Sequence, residues 1–229
     1  MKKKRKSLEG VVRILFLFSV MIIIIASSFS HFLFNKEFYY GEYEKNGVYD
    51  VIPENLTKAT TLNLFAFFHN KDELRFFSDE ERSHLADVKV LIGMMYVLYA
   101  CAIILGLFCL AYFFKRSYKI KKRLFDYRKI GLEVFSGLKW GSGIVLGLLA
   151  LLLLCGVLFS FDAVFSAFHR IFFPQGNYSF PNFYPLIVMF PEQFFLDISI
   201  GIATMTAVTS IVTFVISLGG SLALSRRKS

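Results

Sequence analysis

The sequence predicts a mainly α-helical membrane protein with four transmembrane helices, a small extracytoplasmic α+β cap and an aromatic-rich interfacial loop. Three observations lead to this fold class. Apolar residues make up 55% of the 229-residue chain. Four apolar stretches are each long enough to cross a hydrocarbon core about 30 Å thick as a helix. Basic residues cluster beside these stretches, as they do at cytoplasmic membrane borders.

The four apolar stretches are Val11–Leu33, Val88–Phe114, Gly141–Phe161 and Ile198–Leu224. We interpret them as the spans of a single membrane domain that covers residues 1–229. An even number of spans places both termini on the same side of the membrane. Cys101, Cys109 and Cys155 all fall inside these spans, so we interpret them as small core residues rather than as disulfide or metal ligands.

The distribution of positive charge predicts the orientation. Basic residues occupy Lys2–Lys6 before the first span, the link 115–139 between the second and third spans, and Arg226–Lys228 after the fourth. By the positive-inside rule, these three segments face the cytoplasm of a multi-pass plasma-membrane protein. The net charge of +9 is then a topology signal that also attracts anionic lipid, and we expect no nucleic-acid partner. The outward segments are the cap, residues 34–87, and a second loop, residues 162–197.

The cap contains signals for both strands and helices. Asn46-Gly47 lies between an aromatic run and a β-branched run, which predicts a β-hairpin. Pro53 suits the start of a helix, predicted over Glu54–Phe68. Together these features predict an α+β cap.

The end of the cap predicts where the second spanning helix begins. Ser78 and Glu81 match the S-x-x-E capping box, so the helix is expected to start at Asp79 and run unbroken into the second span. His84 then lies little more than one turn above the membrane core. Asp87, three residues further on, shares its face of the helix and can orient the imidazole.

The second loop is unusually apolar for an outward segment. Ten phenylalanines lie between residues 161 and 195, and four prolines interrupt any single long helix. Such a segment is expected to lie in the membrane interface or to dip into the bilayer. The phenylalanines either wall a groove for acyl chains or form an interfacial aromatic belt without a catalytic role.

Two of the four histidines are candidate functional residues. His84 and His169 each lie where an apolar span meets the predicted outer face, and an ionisable group near lipid is costly to keep there. His31, at the end of the first span, is interpreted as an interfacial anchor. His69 is interpreted as an ordinary residue at a helix end.

The same residues allow two other chemistries. His84, Asp87 and His169 have the composition of a two-histidine, one-carboxylate metal site, although no HExxH motif is present. Ser83 and Ser166 lie near the histidines, but no GxSxG frame surrounds either serine. We therefore expect no metal and no cofactor.

Two segments carry a resemblance to a known family. Glu81–Val88 (ERSHLADV) and Phe168–Asn177 (FHRIFFPQGN), on a four-span plan, resemble the bacterial lipoprotein intramolecular transacylases. The resemblance covers essentially the whole chain. It implies an enzyme that acts at the outer face on diacylglyceryl-modified lipoproteins, within membrane lipid. The sn-2 acyl chain would pass to the α-amino group of the N-terminal cysteine and give the lyso form.

The implied reaction suggests roles for the candidate residues. The attacking amine must lose a proton, and histidine is suited to act as the base near neutral pH. The oxyanion of the tetrahedral intermediate needs a hydrogen-bond donor. We expect His84 to be the base, oriented by Asp87, and His169 and Arg170 to stabilise charge.

Other functional classes stay open at this point. One is a non-enzymatic membrane adaptor that binds a partner through the cap, and another is a metal-dependent membrane hydrolase. A transporter is disfavoured, because no span carries a central ionisable residue or a paired helix break.

Overall fold

The structure is a computed structural model that describes residues 2–119 and 124–226. Some basic residues of the orientation prediction lie outside the described residues: Lys121, Lys122, Arg123, Arg227 and Lys228. The side chains of Lys2–Lys6 and Lys119 lie outside them as well.

The described chain is almost entirely helical. Its helices are α1 (Lys2–Leu33), α2 (Lys36–Lys45), α3 (Glu54–Phe68), α4 (Asp79–Ser117), α5 (Tyr127–Leu158), α6 (Phe161–Phe172), α7 (Pro185–Met189) and α8 (Glu192–Arg226). A short 3-10 turn, Val48–Asp50, follows α2. Two short strands, β1 (Tyr118–Lys119) and β2 (Leu124–Phe125), pair antiparallel between α4 and α5.

Helices α1, α4, α5 and α8 are long and apolar enough to cross a membrane, which confirms the four predicted spans. Helix α4 has 39 residues, whereas about 20 suffice to cross the hydrocarbon core. Its apolar stretch starts at Val88, so the charged first turns from Asp79 to Asp87 precede the membrane-spanning part.

One compact unit consists of residues 1–28, 96–152 and 203–229. Small residues allow its helices to approach closely, as is usual between membrane helices. Gly106 faces Ser19, and the Ser19 hydroxyl donates a hydrogen bond to the carbonyl of Ala102 on α4. Phe16 and Phe113 meet edge to face, with ring centroids 5.5 Å apart.

The second compact unit consists of residues 29–95 and 153–202, and it contains every candidate site residue. Its core is aromatic. Tyr43 is fully buried, stacks on Phe194 and shares a hydrogen bond with the Thr61 hydroxyl. Phe190 packs edge to face on Phe194. Part of the phenylalanine-rich loop therefore forms protein core, whereas Phe183 is 80% exposed.

The predicted β-hairpin of the cap is wrong. Residues 36–45 form helix α2, Asn46 is its C-cap, and Gly47 adopts the left-handed conformation with φ +67°. Asn-Gly serves equally well as a hairpin turn and as a helix C-terminus, because both need a positive φ. The spacing of four between buried Tyr39 and Tyr43 is helical, and burial of that face decides the outcome.

Two of the segments that connect the membrane spans contain the helices α3 and α6. Helix α3 covers the predicted residues Glu54–Phe68, which confirms that prediction. Helix α6 was not predicted, because the phenylalanines and prolines indicated irregular backbone. Its N-cap is Ser160, whose hydroxyl accepts a hydrogen bond from the N–H of Ala163, and the helix ends at Phe172, two residues before Pro174.

Candidate active site

The first turn of α4 is fixed by the predicted capping box. The N–H of Glu81 donates to the Ser78 hydroxyl at 3.3 Å, and the N–H of Ser78 donates to the Glu81 carboxylate at 2.7 Å. The other oxygen of the Glu81 carboxylate accepts from the N–H of Leu186 at 2.7 Å. Glu81 is fully buried, so one carboxylate joins the start of α4 to α7 three residues before His84.

Helix α6 positions His169 in its last turn. The Nδ1 atom of His169 lies 2.9 Å from the carbonyl oxygen of Phe165. Because a carbonyl can only accept, Nδ1 carries the proton and the neutral ring keeps its lone pair on Nε2. The ring centroids of Phe165 and Tyr178 lie 4.2 Å and 5.1 Å from the centroid of the imidazole.

The structure brings the two predicted histidines together. The ring centroids of His84 and His169 are 6.1 Å apart, and their planes differ by 24°. Both side chains are buried, with 8% and 9% of their surfaces exposed. Phe173 packs against both imidazoles: its ring centroid lies 4.7 Å from that of His84 and 5.6 Å from that of His169. Two imidazoles from segments 85 positions apart (169 − 84) thus lie together in one buried environment.

Burial sets the charge of His84, which precedes the apolar part of α4. Removal from water lowers the pKa of His84 to about 4, and repulsion from His169 acts in the same direction. Asp87 and the Asn177 side chain act on this pKa in the opposite, raising direction. The imidazole of His84 is therefore neutral at neutral pH and able to accept a proton.

The carboxylate of Asp87 is bound by two amides. Its Oδ2 atom accepts hydrogen bonds from Nε2 of Gln175 and Nδ2 of Asn177, each at 2.7 Å. Within the described part of the chain, no hydrogen bond joins Asp87 directly to His84. Sequence reasoning missed Gln175 and Asn177, because an amide side chain in a loop carries no charge or periodicity that distinguishes it.

Arg170 is not part of the buried pair. Adjacent positions on an α-helix point about 100° apart, so Arg170 leaves α6 on a different side from His169. Its side chain is exposed, and within the described ranges it makes no hydrogen bond or ion pair.

The other two histidines lie apart from this pair. His31 is exposed in the last turn of α1. His69 is the exposed C-cap of α3, where its Nδ1 bonds the carbonyl of Phe65 at 2.7 Å. That position agrees with the predicted helix end.

Among residues 2–119 and 124–226, no group of three histidine, cysteine or carboxylate side chains is arranged to hold a metal ion. His84, His169 and Asp87 therefore do not come together as a metal cluster, although the sequence allowed one.

An open cavity of about 440 Å³ is lined by neighbours of His84, among them Ser83 and Phe180. Its lining residues come from the first turns of α4 and from the loop after α6: Asp79, Glu80, Ser83, Asn177, Ser179, Phe180, Pro181 and Tyr184. Phe180 also contacts the ring of His84, with centroids 5.8 Å apart. The cavity therefore reaches the wall of the site.

Comparisons with known proteins identify a family and a common fold. The family model described as lipoprotein intramolecular transacylase Lit matches residues 14–195. A solved structure of the membrane integral lipoprotein intramolecular transacylase Lit from Bacillus cereus is 19% identical, with a TM-score of 0.73, and the match covers 98% of this chain and 100% of that chain. A histidine-to-arginine mutant of that protein is 19% identical, with a TM-score of 0.75 and coverage of 99% and 97%. A histidine-to-alanine mutant is 22% identical, with a TM-score of 0.72 and coverage of 99% and 99%. These likenesses show a common fold, and no curated protein matches the chain.

Proposed function

The chain belongs to the lipoprotein intramolecular transacylase family, and we propose that it transfers the sn-2 acyl chain of a diacylglyceryl-modified lipoprotein to the α-amino group of that lipoprotein's N-terminal cysteine. Membership of this family makes it an acyltransferase of the membrane. The product would be the lyso form, with an amide-linked acyl chain and one ester-linked chain. The observation that carries the proposal is the buried pair of His84 and His169, 6.1 Å apart.

His84 is the general base of the proposed reaction. The amine nitrogen attacks the ester carbonyl carbon and gives its proton to the neutral imidazole. The bond between that carbon and the sn-2 oxygen of glycerol then breaks, and the oxygen takes the proton back. Atoms and charge balance without a covalent enzyme intermediate, a soluble acyl donor or a cofactor.

His169 stabilises the negative charge that develops on the former carbonyl oxygen. Its Nδ1 is already bound by the Phe165 carbonyl, so Nε2 is the nitrogen free to face substrate. When protonated, Nε2 can donate to the oxyanion. Arg170 is the second proposed donor, and its exposed side chain would reach the oxyanion only in the complex with substrate.

Tethering accounts for much of the expected rate enhancement. Amine and ester already belong to one molecule, so the enzyme mainly has to orient them and move protons. Helix α6 suits a lipid-facing site, because Phe168, Ile171 and Phe172 are 41%, 71% and 49% exposed while His169 is buried on another face. Such a helix favours the membrane interface, where a diacylglyceryl substrate would lie.

We further propose that both termini are cytoplasmic and that the site faces the outer surface of the plasma membrane. The basic clusters around the spans support this orientation. The outer face is also where mature lipoproteins carry their modified cysteine.

Mass spectrometry of a lipoprotein N-terminus, with and without this protein expressed, tests the proposal. Expression is expected to convert the diacylglyceryl form into the lyso form. His84→Ala is expected to abolish conversion, because general bases contribute about 10²–10⁴-fold to rates, and His169→Ala is expected to impair it. His31→Ala and His69→Ala are matched controls, expected to act like the wild type. Full conversion by well-expressed His84→Ala protein would contradict the assigned base.

A further inference from the structure

The loop after α6 holds Asp87 by a two-amide clamp. The N–H of Gly176 bonds the carbonyl of Phe173 at 3.0 Å, and Gly176 adopts a φ of +81°. Gln175 and Asn177 flank this turn, and both amides donate to the same oxygen of Asp87 at 2.7 Å.

The orientation of the Asn177 amide is fixed by its donors. Its Nδ2 atom donates to Asp87 at 2.7 Å and approaches the Ser83 hydroxyl at 3.4 Å. A flipped amide would set its oxygen against the carboxylate, which has no proton to donate. The Oδ1 atom of Asn177 therefore points away from Asp87. It is buried and has no hydrogen bond from any described residue.

His84 has a matching unpaired atom. Its Nδ1 is buried, and no described residue forms a hydrogen bond with it. The side chain of Asn177 acts on the pKa of His84 in the raising direction, as an oxygen acceptor next to an imidazole N–H does. Asn177 and His84 thus interact through their side chains, and each carries a buried polar atom without a partner, one an acceptor and the other a ring nitrogen that can donate.

We propose that Asn177 is a positioning residue whose amide links Asp87 to His84, with Oδ1 accepting the Nδ1–H of the imidazole. This hydrogen bond fixes one tautomer of His84 and leaves the lone pair on Nε2. Asp87 then orients the base through Asn177 rather than by direct contact. The catalytic consequence rests on the proposed function of His84, whereas the tautomer does not depend on it.

The tautomer is measured directly by ¹⁵N NMR of the full chain, labelled at histidine, in detergent micelles. The chain has four histidines, and His84→Gln assigns the signals of His84 by their loss. Wild-type His84 is expected to show a protonated Nδ1 and an unprotonated Nε2. In Asn177→Ala, the ring is expected to shift toward protonated Nε2. A wild-type ring protonated on Nε2, or one unchanged in Asn177→Ala, would overturn the proposal.

Gln175→Ala is the matched control for kinetics, because Gln175 donates to the same oxygen of Asp87 but is not paired with His84. Asn177→Ala is expected to lower kcat by about 10- to 100-fold with little change in KM, by analogy with the range seen when a metal-bound imidazole loses the group that orients it. Gln175→Ala is expected to leave the His84 signals close to wild type and to lower kcat less than Asn177→Ala does, because it loosens Asp87 without removing the acceptor for His84. Equal effects of the two variants on both readouts would contradict the proposal.

A swap of the two groups separates positioning from folding. In the double variant Asp87→Asn with Asn177→Asp, the amide at position 87 donates to a carboxylate at position 177, which still accepts from His84. The swap is expected to restore the wild-type tautomer and part of kcat, relative to either single variant. Failure to restore the tautomer would refute the link. If His84→Gln stays active while the tautomer depends on Asn177, the base assignment fails and the hydrogen bond stands.

Discussion

Glu81 offers the sharpest test of how the site is held together. Its carboxylate is fully buried and accepts two backbone N–H groups, from Ser78 and from Leu186. Glu81→Ala removes both acceptors at once. The N–H of Leu186 then stays buried without a partner, and the start of α4 loses half of its capping box.

The magnitude follows from the number of hydrogen bonds lost. A hydrogen bond to a charged group contributes about 1.5–3 kcal/mol, so Glu81→Ala is expected to lower the free energy of unfolding by about 3–6 kcal/mol. Ser78→Ala removes only the cap side chain and is expected to cost about 1 kcal/mol. Glu81→Gln is expected to fall between them, because its amide nitrogen would face one of the two N–H donors.

Thermal unfolding of the purified protein in detergent, followed by near-UV circular dichroism, measures this order. In a chain of this length, 1 kcal/mol corresponds to a shift in Tm of roughly 2–4 °C. Glu81→Ala is therefore expected to lower Tm by roughly 6 °C or more, and Ser78→Ala by roughly 2–4 °C. A Tm for Glu81→Ala no lower than that of Ser78→Ala would refute the role of the Leu186 contact.

Three further predictions concern orientation, metal and charge. In a cysteine-free background, a cysteine placed at exposed Glu44 should react with an impermeant thiol reagent in intact cells. A cysteine placed at exposed Tyr127 should react only after the cells are permeabilised. The reverse labelling pattern would invert the topology. Purified protein should keep its transacylase activity in strong chelator, and a loss that zinc restores would favour a metal enzyme. Because burial and His169 both lower the pKa of His84 to about 4, His169→Gln should raise that pKa, so protonation of His84 starts at higher pH in an NMR titration. An unchanged or lower value would show that the two rings do not interact.

The membrane helices could be predicted from the sequence because their signals are strong and local. Twenty or more apolar residues have few alternatives in lipid, where each backbone polar group needs an internal partner. The start of α4 was equally predictable, since Ser78 and Glu81 satisfy each other within one turn. The structure extends each span with polar turns that hydropathy alone does not reveal.

The connections were harder to predict because their signals are ambiguous. Asn46-Gly47 supplies a positive φ, which both a hairpin and a helix C-terminus use. Only the tertiary burial of Tyr39 and Tyr43 selects the helix. For α6, the signal was present in Ser160 as an N-cap, but the density of phenylalanine and proline after it obscured a regular helix.

The candidate site was predictable to the extent that its residues are costly to bury. Histidines next to lipid stand out because burial penalises their charged form, and His84 and His169 do meet. Arg170 was predicted from the same segment, but adjacency along a helix separates side chains, and the structure leaves it exposed. Gln175 and Asn177 lie in the segment Phe168–Asn177 that carries the family resemblance, but an uncharged amide gives no signal of its own that it contacts Asp87.

The proposed link through the Asn177 amide has a physical use that a direct carboxylate contact would not provide. A carboxylate hydrogen-bonded to His84 would favour the charged imidazolium and raise its pKa. With Asn177 between them, Asp87 keeps its own hydrogen bonds and acts on His84 only through a neutral group and at a distance. Burial then keeps the ring neutral, ready to accept a proton. A reaction between groups already tethered in one substrate needs such a neutral, oriented base more than a strong one.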